Sequence, residues 1–282
     1  MSRSLDPSEV ITARGDVAVW DVGEGEPVLL MHGFPDHAIG LLDAAERLAS
    51  EGYRAVVVAY PGYWPSSPVR DGDYSMSAVA GDILLVLDAL ELPRVHVFGH
   101  GWGALYGYWL ASHHPARIGR LIALAAPHPI GFRVRRRVLA EQQTAVYALL
   151  LAYSRTGPRL AADRTWLTSL AQTWSPGLWR ADWPEVLDRL TRPGVPEAIC
   201  RHYHADMEEH GTPTGVVEVP TTIIHGAQSG CIRPATFVDL GAGFREPPHI
   251  VCLPTVGHWP HLEAPEATFE LSLAALRGDR AA

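Results

Sequence analysis

Cysteine is scarce. There are three, Cys200, Cys231 and Cys252, with no Cys-x-x-Cys spacing. A set so sparse and odd offers neither a disulfide framework nor a thiolate zinc site, and it suits a reducing compartment. Positive charge is also short: Lys plus Arg number 23 against 31 Asp plus Glu, a formal net charge of −8. That balance argues against nucleic acid or an anionic membrane as the main partner. No stretch approaches the roughly 20 apolar residues of a membrane span. The opening MSRSLDPSEV has no apolar signal core. A soluble, cytoplasmic protein is the expectation. No internal repeat and no low-complexity tract interrupts the chain. What is plentiful is core: 47% of the 282 residues are hydrophobic. This excludes wholesale disorder and allows one large α/β domain or two ordinary ones.

The first half alternates strand and helix patterns. Residues 17–21 alternate apolar and polar side chains. Residues 27–31, 54–60 and 95–99 are short apolar runs bounded by turn residues, as in parallel strands buried on both faces. Residues 121–126, 221–225 and 249–253 continue the strand series, and helical patterns cover roughly 39–50 and 76–90. Alternation of this kind predicts a parallel sheet with right-handed crossovers. From about 130 to 215 the rhythm breaks. No strand pattern is convincing there; residues 135–153 and 183–190 read as helices between Gly-Pro and Pro-Gly breaks. Trp166, Trp174, Trp179 and Trp183 fall in this segment. The reading is a core made of residues 1–129 and 216–282, with a helical cap over 130–215. The run Arg133, Arg135, Arg136, Arg137 reads as a solvated helix face.

Three segments carry chemistry. His32-Gly33-Phe34-Pro35-Asp36 follows a strand pattern; Gly99-His100-Gly101-Trp102-Gly103 joins strand to helix; Gly257-His258-Trp259-Pro260-His261 follows the last strand. In this order, with an insertion before the sixth shared strand, the chain resembles the α/β-hydrolase fold, nearest its epoxide-hydrolase and haloalkane-dehalogenase branch. The resemblance implies a nucleophile at the tip of a sharp strand-to-helix turn. It also implies an oxyanion hole from the backbone N–H groups of Phe34 and Trp102, and a base at His258 held by an acid.

The departures from that pattern are chemical. The nucleophile position is Gly101, which has no side chain. The acid position is Ser229, which can hydrogen-bond but carries no charge. The alternative acid position, after the preceding strand, holds Ala125 and Ala126. Covalent hydrolysis at this turn is therefore closed, and His258 is the candidate base. His100 reads as a structural histidine near His32, Cys231 as an ordinary buried cysteine and His128 as a residue at the cap entrance. The ligand pocket is expected to include His32, His100, Trp64, His128, Tyr147, Trp166 and Trp174, with no cofactor and no metal.

Two functional classes fit these residues. The first is an epimerase or isomerase that moves a proton at an activated carbon, with His258 as base and the Phe34 and Trp102 amides stabilising an enolate. In this the chain resembles the triad-poor α/β-hydrolase-fold enzymes of natural-product pathways, such as those that epimerise aspartate in bottromycin-type modified peptides. The partner would be a bulky small molecule or a modified peptide. The alternatives are a catalytically silent ligand carrier, or a residual epoxide or ester hydrolase using water activated by His258.

Overall fold

The computed structural model describes residues 6–131, 146–178, 180–208 and 215–279. Eight strands form one sheet: β1 Ser8–Ile11, β2 Asp16–Val22, β3 Glu26–Met31, β4 Tyr53–Val58, β5 Val95–His100, β6 Ile118–Leu124, β7 Thr221–Gly226 and β8 His249–Leu253. Their order is β1-β2-β4-β3-β5-β6-β7-β8. β1 pairs antiparallel with β2, and β2 with β4; every later pairing is parallel. The described helices are α1 Leu42–Ser50, α2 Met76–Ala89, α3 Trp102–His113, α4 Val146–Tyr153, α5 Gly157–Ala161, α6 Arg164–Trp174, α7 Trp183–Leu190, α8 Val195–Glu208, α9 Pro260–Glu263 and α10 Pro265–Arg277.

The central strands are apolar on both faces because both faces are covered. α1 packs on β4, α3 on β5 and β6, and α10 on β6 and β7. Val28, Leu29, Leu30 and Met31 of β3 and Val56 and Val57 of β4 are fully buried. β1 escapes the apolar pattern. It is an antiparallel edge strand with Ser8, Glu9 and Ile11 exposed, so no buried face marks it.

β4 lies on one side of β3 and β5 on the other. The chain therefore reverses its winding direction here, and the loops after β3 and β5 part to leave a crevice at their C-terminal ends. Those loops carry Phe34 and Gly101. Helices α4 to α8 lie between β6 and β7, and no strand occurs among the described residues of that stretch. α8 packs against α4 and α5. Asp163 caps α6, accepting from the amides of Thr165 and Trp166 at 2.8 and 3.1 Å. The arginine run at 133–137, Trp179 and the first part of the helix expected at 135–153 lie outside the described residues.

Candidate active site

The turn after β5 is dictated by close backbone approach. A Cβ on Gly99 would come within 2.3 Å of the Gly103 carbonyl oxygen, and one on Gly103 within 2.1 Å of the Met31 oxygen. Only glycine lets α3 seat this tightly on β3 and β5. Gly101, at the tip, has φ +54° and ψ −113°. Its amide donates to Leu124 O at 3.0 Å, and its carbonyl accepts from Ala104 N at 3.0 Å. A Cβ there would meet only Gly33 Cα, at 3.3 Å. The tip thus has space for a small side chain but a backbone that strains any residue except glycine. The amides of Phe34 and Trp102 donate to no backbone carbonyl among the described residues.

β8 delivers the histidine loop to the same crevice. His258 is buried, and its Nδ1 lies 3.4 Å from Ser229 Oγ on the loop after β7. Ser229 Oγ also accepts from Ile232 N at 3.2 Å, which fixes the hydroxyl. The backbone of the loop is clamped. Glu263 accepts from Gly257 N at 2.9 Å, from Trp259 N at 3.0 Å and from Ser175 Oγ at 2.7 Å. Ser175 Oγ in turn accepts from His258 N at 2.6 Å.

Over His258 stands a wall of rings from the inserted helices. Trp174 meets His258 edge-on with centroids 5.1 Å apart, and Tyr147 meets Trp174 at 4.7 Å. Tyr203 of α8 joins Tyr147 at 5.7 Å, Phe34 at 5.5 Å and Trp102 at 5.1 Å. The Tyr203 and Tyr147 side chains are hydrogen-bonded, and burial pushes the Tyr203 hydroxyl well above the ordinary phenol value, so it stays protonated. Tyr203 was missed in the sequence. Its only signal is its place four residues after Ile199 on one buried face of α8.

Behind the histidine loop the chemistry changes. Asp36 and Arg180 form a fully buried ion pair at 3.0 Å, and Arg180 also holds Asp182 at 2.7 Å. Trp259 Nε1 donates to Asp36 Oδ2 at 3.0 Å. Burial pushes the Asp36 carboxyl up, but Arg180, followed by His261 and His100, outweighs it and brings the pKa down to about 2. His100 Nε2 donates to the His258 carbonyl at 2.9 Å. His100 thus supports the histidine loop while its ring lies against Gly33, beside His32. His32 is sealed beneath Tyr60, whose hydroxyl donates to the His32 carbonyl at 2.8 Å. Burial lowers the His32 pKa to about 4.

Other residues singled out in the sequence make the following contacts. His128 packs against Tyr108 and Phe244 at 5.3 and 5.1 Å, with Nδ1 accepting from Ile130 N. The turn at 127–131 directs it to that cluster. Trp64 lies under Arg192 and Arg189, at 3.7 and 5.0 Å from its ring centroid. Trp166 is half-buried at the start of α6. Cys231 is buried, with Tyr147 Oη 3.9 Å from its sulfur.

The profile of the α/β-hydrolase fold family matches residues 26–265. The chain belongs to the α/β-hydrolase fold family. Within it the likeness is to epoxide hydrolases. Epoxide hydrolase 3 of Siraitia grosvenorii is 35% identical over 105 residues, 37% of this chain and 33% of that protein. Epoxide hydrolase B of Mycobacterium tuberculosis (strain H37Rv) is 33% identical over 105 residues, 37% of this chain and 30% of its own length. The chain thus spans about a third of these curated relatives. The epoxide hydrolase of Bacillus megaterium, solved with an inhibitor, shares the fold with a TM-score of 0.85 over 96% of this chain and 100% of that one, at 20% identity.

These relatives overturn the expectation of a non-hydrolytic epimerase acting by proton transfer. The physical reason lies at Gly101. A glycine has no side chain to attack with, but water activated by a base does not need one.

Proposed function

We propose that this α/β-hydrolase opens an epoxide with water activated directly by His258. The observation that carries this reading is the Ser229 Oγ to His258 Nδ1 contact of 3.4 Å beside a glycine tip. With Nδ1 turned to Ser229, Nε2 takes the proton of a water lodged where a nucleophile side chain would otherwise stand. The Phe34 and Trp102 amides hold the water oxygen as charge develops on it. The oxygen attacks one epoxide carbon and that carbon–oxygen bond breaks. The departing oxygen takes its proton from the Tyr147–Tyr203 phenol pair, which is restored by the proton His258 accepted. Water is added and a diol leaves. The aromatic wall favours a bulky, partly apolar substrate. The sparse, odd set of three cysteines fits a reducing, cytoplasmic setting.

The test is a single turnover of aryl and alkyl epoxides with excess enzyme in ¹⁸O-water. Direct attack labels the diol in the first turnover and leaves the protein unlabelled. An unlabelled first-turnover diol would mean that the oxygen came from the protein, and the proposal would fail. His258→Gln is expected to slow hydrolysis by about 10²–10⁴-fold. Turnover equal to that variant's across the epoxide panel would also defeat the reading.

A further inference from the structure

We propose that Asp36, His100 and His261 form a binding site for a divalent transition-metal ion of the zinc class, set behind the histidine loop and separate from the hydrolytic centre. The three residues come from the loops after β3, β5 and β8. Each offers a ligand atom within 4.8 Å of the others, and all three are buried. Imidazole with carboxylate is a donor set suited to zinc, cobalt or iron. Closing on such an ion needs ligand atoms about 3.4 Å apart, so the side chains would draw in by up to about 1.5 Å.

Unmet hydrogen-bonding capacity points to an occupant. Among the described residues, neither ring nitrogen of His261 has a hydrogen-bond partner, nor does Nδ1 of His100. Buried polar atoms are paired in the great majority of cases, so orphans on two adjacent imidazoles need a reason. Nε2 of His100 donates to the His258 carbonyl, the backbone support that commonly steadies a metal-bound imidazole. On Asp36, Oδ1 accepts from His37 N at 2.8 Å and from Arg180 Nη1 at 3.0 Å, and Oδ2 accepts from Trp259 Nε1 at 3.0 Å. One lone pair remains on Oδ2.

Charge favours a cation despite Arg180. Asp182 neutralises that guanidinium through bonds of 3.0 and 2.7 Å, so Asp36, Arg180 and Asp182 together carry one net negative charge. A cleft also adjoins the site. A cleft of about 510 Å³ between α1 and the α9–α10 segment reaches His261 and Phe98. Asp43, Glu46 and Glu266 line it with a single cation, Arg47, which Glu266 pairs at 2.6 Å. The mouth is therefore acidic.

The full chain, stripped by chelator and freed of any tag, is titrated with Zn²⁺ and separately with Co²⁺. About one ion per chain is expected by elemental analysis after gel filtration, with a raised Tm. Co²⁺ should give the visible absorption of a four- or five-coordinate site. His261→Leu keeps the bulk and removes both nitrogens. It has no hydrogen bond to lose, so it should fold without metal at least as stably as the parent and bind no ion at this site. Asp36→Asn should weaken binding and leave the backbone in place. The proposal is overturned if wild type takes up no more ion than His261→Leu, or if Co²⁺ gives no ligand-field bands with the folded wild type. The second result decides the matter even if the variants fail to fold.

Discussion

The loop carrying His258 divides two environments built from different materials. Towards α4, α6 and α8 it meets Trp174, backed by Tyr147 and then Tyr203, neutral rings in edge-on contact. Towards α1 it meets Asp36, Arg180 and the orphaned ring of His261. One side is held by many small dispersion terms, the other by a few large electrostatic ones. The base proposed at His258 lies on the side of the rings, against Trp174. The charged side holds the loops still. Its groups come from regions far apart in the chain, which is where a cross-link constrains most.

The largest effect should come from breaking the charged side. Arg180→Met leaves Asp36 buried without its counter-charge, a loss of about 3–5 kcal/mol in denaturant unfolding. The double variant Arg180→Met, Asp36→Leu should recover most of it. A single-variant loss under about 1 kcal/mol would erase the contrast between the two sides.

Acid is the next lever. Burial lowers both His32 and His202 to about 4. The unfolded chain binds these protons near the free imidazole value of about 6.5, so it binds more protons than the native state between about 6.5 and 4. The stabilisation is complete above that window and is lost as pH falls through it. Two such groups cost about 4 kcal/mol by pH 5, so Tm should fall by about 10 °C between pH 7 and pH 5. A flat Tm over that range would show that both histidines are accessible in the native state.

Smaller effects sharpen the picture. Glu263→Gln weakens three bonds that clamp the histidine loop and should cost about 1–2 kcal/mol. Epoxide turnover should fall with it, since the base loses its seat; an unchanged rate would show that the clamp does not position His258. Arg192→Ala removes a cation from the Trp64 face and should cost about 0.5–1 kcal/mol, read by thermal unfolding. No change would mean that this exposed rim is held by other contacts.

The parallel strands and the glycine turn were legible because each obeys a local rule. Apolar runs such as 27–31 announce burial on both faces. Gly99 and Gly103 mark backbones that touch. The proximity of Ser229 to His258 was legible only through family resemblance, since 29 residues separate them. The Asp36–Arg180 pair, 144 residues apart, had no local signal at all, nor did the meeting of Tyr203 with Phe34. Such contacts arise from packing, and packing is a property of the assembled layers rather than of any window of sequence. The epimerase expectation erred at a different step. With Gly101 and Ser229 closing the covalent route, it ranked proton transfer at carbon above the alternative, hydrolysis by water activated at His258.

The geometry at Gly101 has an evolutionary consequence. Glycine codons lie one base change from codons for aspartate, serine and cysteine, the side chains that serve as nucleophiles. The backbone there is already turned, and an incoming Cβ would press only on Gly33 Cα at 3.3 Å. The toll of reacquiring a nucleophile is backbone strain of about 1–3 kcal/mol. Serine to aspartate at position 229 requires more than one base change. A lineage descending from this chain can therefore gain an attacking group at position 101 in one mutational step, but not a carboxylate at position 229. Half-armed hydrolases are its nearest neighbours in sequence space.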